Sequence, residues 1–138
     1  MSDLIISIPG EMRGKGRPRF STRGGFARAY TDEKTENAET WVRCCAIDQI
    51  GMPCLEGPLH VSIDIAVSIP GSWSKKKKAQ ALQRTVMPTG KPDCDNSTKL
   101  LFDALNKIVW KDDSQIVSLA VQKFYASEPT TSLTVRQL

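Results

Sequence analysis

Five aspartates fall within one short stretch of the chain, residues 91–114, which we call the acidic segment. They are Asp93, Asp95, Asp103, Asp112 and Asp113. Carboxylates grouped this closely repel one another unless something neutralises them. The acidic segment is therefore the part of the chain whose residue types could carry out chemistry.

The apolar residues of the acidic segment predict a helix that positions these carboxylates. At about 100° per residue they share one broad face of a helix that begins near Asp95 or Asn96, either of which is a competent N-cap. These residues are Leu100, Leu101, Ala104, Leu105, Ile108 and Val109. We expect a turn with Asp93 and Asp95 before the helix, and a second turn that delivers Asp113 from its far end. Cys94 is expected on the opposite side of an extended backbone from its two neighbours.

A hard divalent cation would neutralise such a cluster. Mg²⁺ takes oxygen ligands and commonly uses one or two carboxylates together with phosphate oxygens. We predict Asp93, Asp95 and Asp113 as its ligands, with Mn²⁺ as the alternative metal. Lys99, one turn after Asp95, would then face the same pocket and stabilise charge on a phosphate. The alternative is a capped surface helix with i,i+4 pairs between Asp95, Lys99 and Asp103, each contributing about 0.2–0.5 kcal/mol.

Other sites with similar residue types are excluded by spacing. A calcium loop lacks its glycine, because Thr98 stands there, and Ala104 replaces its closing glutamate. The single histidine, His60, has no nucleophile pattern near it. The glycines at 10, 14 and 16 form neither a phosphate-binding loop nor a dinucleotide fingerprint, so no nucleotide cofactor is indicated.

Two basic regions precede the acidic segment in a chain of net charge +4. Residues 1–30 carry six basic and two acidic side chains, and residues 75–91 carry six basic and none acidic. Basic side chains hold phosphates, and the aromatic residues between the glycines and arginines of residues 14–30 could stack on bases. The predicted DNA contacts are Lys15, Arg17, Arg19, Arg23, Arg28, Lys75, Lys76 and Lys77. A solvated loop and a solvated helix start are the alternative interpretations.

The remaining pattern predicts a single α+β domain spanning residues 1–138. Strands are expected at residues 3–8, from Leu59 to Ile69 and after Asp113, with helices from about 32 to 51 and after Ser72 or Ser74. Strands and helices mix without a regular βαβ repeat, so we expect a mixed or largely antiparallel sheet packed with helices.

The spacing of the cysteines and the hydropathy of the chain predict its cellular compartment. The four cysteines form no C-x-x-C pair, so reduced thiols are expected. The chain has neither an apolar run long enough to span a membrane nor a signal-peptide pattern. We therefore expect a cytoplasmic protein without a membrane partner.

The order of several motifs resembles the RusA family of Holliday-junction resolvases, which is common in prophages. The acidic segment supplies K-P-D-C-D-N-S-T-K at 91–99, F-D-A-L-N at 102–106 and W-K-D-D-S-Q-I-V at 110–117. Upstream, K-G-R-P-R-F at 15–20, A-Y-T at 29–31 and S-W-S-K-K-K at 72–77 look like family segments in the same order.

The resemblance implies a homodimeric endonuclease that binds four-way DNA junctions and uses Mg²⁺ to cut two opposing strands, in recombination and repair, inside a bacterial or phage-infected cell. Carried over by position, the three catalytic aspartates match Asp93, Asp95 and Asp113, and the functional lysine matches Lys99. Asp103 and Asp112 match acidic positions and are expected to support the site. Two hypotheses remain beside this one: a less selective nuclease for flaps and other branched DNA, and a non-catalytic DNA-binding protein.

Overall fold

The computed structural model describes residues 3–14, 19–21, 28–30 and 33–138, with the backbone only for 19–21 and 28–30. The strands are β1 (Leu4–Pro9), β2 (Arg19–Ser21), β3 (Arg28–Tyr30), β4 (Leu59–Ser68), β5 (Ile116–Ala126) and β6 (Thr130–Gln137). The helices are α1 (Glu33–Ile50), α2 (Lys75–Leu82) and α3 (Cys94–Leu105), and a 3₁₀ turn spans Asp113–Gln115.

Four strands form one mixed sheet in the order β1-β6-β4-β5. β6 lies antiparallel to both β1 and β4, whereas β4 and β5 are parallel. The parallel pair requires a long crossover, and residues 69–115 supply it with α2 and α3 inside. β2 and β3 form a separate antiparallel pair. The α+β class, the mixed sheet and the single compact domain are confirmed.

One face of the sheet carries the hydrophobic core. The strict alternation of β4 buries Leu59, Val61, Ile63 and Ile65 on this face. α1 and α3 pack against each other here, and α3 contributes Leu100, Leu101, Ala104 and Leu105, all at most 1% exposed. Trp110, in the loop after α3, is fully buried and meets Phe102 edge-on at 5.5 Å. The acidic segment is thereby fixed to the sheet through its apolar residues.

The opposite face of the sheet is polar. His60 lies between the hydroxyls of Ser118 and Ser62, and Gln122 donates to Asp64. The contacts with Ser118 and Gln122 join β4 to β5, whereas that with Ser62 lies within β4. All of them lie on a half-exposed surface, as the alternation of β4 predicts.

The predicted state of the cysteines is confirmed, since all four are free thiols. No helix in the described part of the chain is long and apolar enough to cross a membrane.

Candidate active site

α3 begins at Cys94, one residue earlier than the earliest predicted start, and its N-cap is Asp93. An N-cap aspartate normally accepts a hydrogen bond from a backbone N–H of the first turn. Asp93 makes no such bond, and its Oδ2 instead receives the side-chain amide of Asn96 at 3.2 Å. Asp93 is exposed, and the described hydrogen bond of its carboxylate is the one from Asn96.

Asp95 lies at the rim of a groove of about 340 Å³ between α3 and β5. The groove is lined by Cys94, Asp95, Thr98, Lys99, Phe102, Leu119 and Val121. The expectation that Cys94 would point away from the carboxylates is wrong, because the residue is already helical and shares the groove with Asp95. The groove is apolar inside and charged at its rim.

Lys99 faces the same groove as Asp95, as predicted, but its ammonium contacts Asp103. The Nζ of Lys99 lies 3.1 Å from Oδ1 of Asp103, one turn further along α3. The side chain of Lys99 is 62% exposed, so this pair is screened by solvent and contributes little to stability. Lys99 can leave Asp103 for a phosphate at small cost.

Gly14 brings the chain from β1 directly onto the first turn of α3. A Cβ at Gly14 would lie 2.9 Å from Cβ of Asn96, closer than side chains approach. The residue is therefore required to be glycine by close contact. This contact places Gly14 against the end of α3 that carries Asp93 and Asp95.

Asp113 lies at the other end of α3. Its Oδ2 is 3.5 Å from the side-chain amide nitrogen of Asn106, the C-cap of the helix. The carbonyl oxygen of the same amide accepts the indole N–H of Trp110 at 2.8 Å. Asn106 therefore connects Asp113 to the buried tryptophan.

Gln115 holds the turn that carries Asp112 and Asp113. Its Oε1 accepts the backbone N–H groups of Lys111 and Asp112, and its Nε2 donates to the carbonyls of Leu55 and Gly57. These four hydrogen bonds are 2.9–3.0 Å long and tie the turn to the loop before β4.

Asp112 caps the 3₁₀ turn. Its side chain accepts the backbone N–H of Ser114 at 3.1 Å and completes a capping box with Gln115. Hydrogen bonds from Ser114, the side chain first and then the backbone, lower the pKa of Asp112 from its ordinary value. Its carboxylate is thus used in the turn, whereas that of Asp113 is directed toward Asn106.

The predicted metal ligands therefore form two groups rather than one. α3 rises about 1.5 Å per residue, so Asn96 and Asn106, which contact Asp93 and Asp113, are separated by about 15 Å along its axis. β5 also separates the two groups of carboxylates. Lys123, toward the end of β5, contacts the carbonyl of Pro92, whereas Ile116, the first residue of β5, follows the turn that carries Asp113. Among residues 3–14 and 33–138, no group of three or more His, Cys, Asp or Glu side chains is arranged to hold a metal ion.

The basic first turn of α2 lies at the end of β5 that contacts the loop before Asp93. Ser74 caps α2, and its first turn consists of Lys75, Lys76, Lys77 and Lys78. Trp73 meets Tyr125 of β5 edge-on at 5.2 Å, and the Nζ of Lys77 lies 3.9 Å from the Trp73 ring centre. Tyr125 is two residues beyond Lys123, so the basic turn is at the end of β5 that contacts Pro92.

The other predicted DNA contacts are only partly described. Arg19 and Arg28 lie in β2 and β3, where the backbone pairs Arg19 with Tyr30 and Arg28 with Ser21. Lys15, Arg17 and Arg23 lie outside the described residues. Lys75 and Lys76 are exposed at the start of α2, as the predicted role requires.

Sequence reasoning missed Asn96, Asn106 and Gln115 as residues that orient the carboxylates. One signal was available, because Asp112-x-x-Gln115 is the spacing of a capping box. The contact between Asn106 and Asp113 has no local signal, since it depends on how the loop with Trp110 folds back onto the helix.

Asn106→Leu is expected to lower the free energy of unfolding by about 1–3 kcal/mol, because the buried indole N–H of Trp110 loses its acceptor. Urea denaturation measures this loss. In a Trp110→Phe background the same substitution should cost less, since no donor is left unpaired. Asn37→Leu, at an exposed position of α1, is the matched control. An equal cost in both backgrounds would show that the indole bond is not the cause.

Comparison of the sequence with known proteins identifies its family. The family model for the RusA endodeoxyribonucleases matches residues 9–136, nearly the whole chain. The chain belongs to the RusA family. The uncharacterized protein YqaN of Bacillus subtilis (strain 168) is 35% identical over 140 residues, covering 100% of this chain and 99% of YqaN.

Membership of the RusA family makes the chain an endodeoxyribonuclease of a family that acts on branched DNA junctions. The matched range contains both ends of α3 and the basic first turn of α2. The family assignment, the enzyme class and the DNA substrate class expected from the motifs are confirmed.

Proposed function

We propose that this chain is a Mg²⁺-dependent, homodimeric endonuclease that resolves four-way DNA junctions by paired symmetric cuts during recombination and repair. The observation that carries the proposal is the exposed pair Asp93 and Asp95 at the start of α3 in a RusA-family chain. The basic turn of α2 packs at the end of β5 that contacts the loop before this pair. We place its action in the cytoplasm of a bacterial or phage-infected cell, with a prophage as the source of the gene.

The donor chemistry of the site suits a hard cation. Asp93, Asp95 and Asp113 offer carboxylate oxygens, and the side-chain amides of Asn96 and Asn106 orient two of them. Mg²⁺ held by these residues, or Mn²⁺ in its place, would supply an activated water and charge stabilisation at the leaving oxygen. Lys99 would turn from Asp103 to the scissile phosphate and stabilise the negative charge that develops there. Asp103 would support the site through its ion pair with Lys99, and Asp112 through its cap of the 3₁₀ turn.

A second copy of the chain would complete the set of ligands. Asn96 and Asn106, which contact Asp93 and Asp113, are about 15 Å apart along the axis of α3, so the two carboxylates lie toward opposite ends of the helix in one chain. In a two-fold dimer, Asp113 of one copy can meet Asp93 and Asp95 of the other, and the reverse contact follows from the symmetry. Each dimer would then contain two equal sites, as a four-way junction cut on two opposing strands requires.

The free edge of β5 is the surface that fits such a dimer. β5 is the outer strand of the four-stranded sheet, and the residues Val117, Ser118, Leu119 and Ala120 are exposed. Two β5 strands placed antiparallel about a two-fold axis would bring the start of one beside the end of the other. The start carries Asp113 and the end contacts the loop that carries Asp93, so this pairing unites the two groups of ligands.

The test is cleavage of a labelled four-way junction, a flap and a plain duplex of related sequence, each with and without Mg²⁺. We expect paired cuts in the junction that need the metal, with the flap and duplex cut at least tenfold more slowly. Equal cutting of flap and junction would favour the less selective branched-DNA nuclease. Salt-sensitive binding without any metal-dependent cut would favour a non-catalytic DNA-binding protein and overturn the proposal.

A further inference from the structure

Lys123 occupies a position of β5 that faces the core side of the sheet. It pairs with Ile65 of β4, so its side chain lies on the face of the sheet that carries the core and α3. Its Nζ donates to the carbonyl oxygens of Gly90 at 2.5 Å and Pro92 at 2.9 Å. The two hydrogen bonds to backbone carbonyls give a structural reason for a lysine on this face of the sheet. One of the two acceptors, Pro92, is the residue immediately before Asp93.

Pro88 is buried, but the backbone of the loop before Asp93 makes few hydrogen bonds. Among the described residues, no backbone–backbone hydrogen bond involves residues 87–92. Pro88 and Pro92 have no N–H to donate. The next backbone bond along the chain is that of Ser97 N–H to the carbonyl of Asp93, inside the first turn of α3. The two bonds from Lys123 are therefore the described polar contacts that fix the loop to the sheet.

From this contact we propose that Lys123 is a positioning residue, which holds the Asp93 carboxylate where a divalent cation can bind. Lys123 acts through the backbone of Pro92 and does not touch DNA or the reacting atoms. The proposal rests on the metal-dependent cleavage proposed above. The lysine ammonium suits this role, because its three N–H donors can reach both carbonyl oxygens at once.

The first prediction concerns metal affinity. Lys123→Met keeps the length of the side chain and removes its donors. We expect the Mg²⁺ concentration for half-maximal junction cleavage to rise about 10–100-fold, as for other residues that orient metal ligands. The rate at saturating Mg²⁺ should return to within about threefold of the unsubstituted chain. Lys123→Arg, which can still donate to both carbonyls, should restore most of the metal affinity. Lys34→Met, an exposed lysine of α1, is the matched control.

A second readout is independent of cleavage. Hydrogen exchange by mass spectrometry without metal or DNA should show faster exchange of residues 90–97 in Lys123→Met, with α1 unchanged. Calorimetric titration with Ca²⁺ should show weaker binding by a similar factor. If Lys123→Met does not fold, Lys123→Gln, which keeps one donor group, takes its place in both measurements.

The outcomes separate the two proposals. If the unsubstituted chain does not cut a junction with Mg²⁺, the proposed function fails, and the role of Lys123 in metal binding fails with it. If the unsubstituted chain cuts but the Mg²⁺ requirement and the exchange of residues 90–97 are the same in Lys123→Met, only the role of Lys123 is overturned. A fall in rate that is equal at all Mg²⁺ concentrations also overturns it, because a general loss of structure would produce that result.

Discussion

Asp95→Asn is expected to reduce Mg²⁺-dependent junction cleavage by more than about 100-fold, more than the loss seen when a residue that only orients a metal ligand is removed. An amide oxygen is a weaker ligand for Mg²⁺ than a carboxylate oxygen. Asp95 is exposed in the first turn of α3, so the change leaves no cavity and costs at most about 1 kcal/mol of helix-dipole interaction. Junction affinity without metal should be equal or higher, because one negative charge near the phosphates is removed.

The matched control is Asp48→Asn, which removes an exposed carboxylate from α1. It should cut at the rate of the unsubstituted chain. Gel-shift titration without metal and a cleavage time course with Mg²⁺ give the two quantities for each variant. Cleavage by Asp95→Asn within a few-fold of the control would remove Asp95 from the set of ligands.

A mixture of Asp95→Asn and Asp113→Asn chains is expected to regain activity that neither variant has alone. If each site combines Asp93 and Asp95 of one copy with Asp113 of the other, a mixed dimer has one site with both substitutions and one intact site. The intact site can make one cut but not two. On a supercoiled plasmid with an extruded cruciform, the product should be nicked circles, whereas the unsubstituted dimer should give linear DNA.

Mixing Asp93→Asn with Asp95→Asn supplies the control. Both substitutions then fall in the same group of ligands, so every site in every dimer is damaged and no activity should return. The chains must be unfolded and refolded together, or produced together, so that mixed dimers form. No recovery in the first mixture, or equal recovery in both, would contradict a site shared between two copies.

Much of the fold could be predicted from local patterns. The alternation of β4 predicts its buried face, and the acidic and apolar residues of α3 predict its two sides. The predicted start of α3 lies after the observed one, because Asp95 and Asn96 are competent N-caps, whereas the carboxylate of the observed N-cap, Asp93, makes no capping hydrogen bond. Strand order was beyond prediction, since the pairing of β1 with β6 depends on residues at opposite ends of the chain.

The sequence proposes residue types for the site, and these stay a prediction, but it does not reveal how the structure arranges them. Spacing along the sequence grouped Asp93, Asp95 and Asp113 in one pocket, whereas α3 holds Asp113 at its far end. The orienting residues were hidden for a related reason. Asn106, Gln115 and Lys123 act through backbone and side chains brought near by the sheet, and no local pattern reveals such contacts.

The pairing of β1 with β6 has a consequence for folding during synthesis. Leu4 is the partner of Val135, so β1 cannot pair until β6 has been made. Closing such distant contacts is slow, on the scale of milliseconds to seconds for sheets dominated by them. Until then Ile6 and Ile8 lack the sheet that buries them, and β4 lacks the neighbour that carries Leu133 and Val135. We expect the sheet against which α3 packs to be complete only after β6 has left the ribosome, so a nascent chain that lacks β6 should have no nuclease activity.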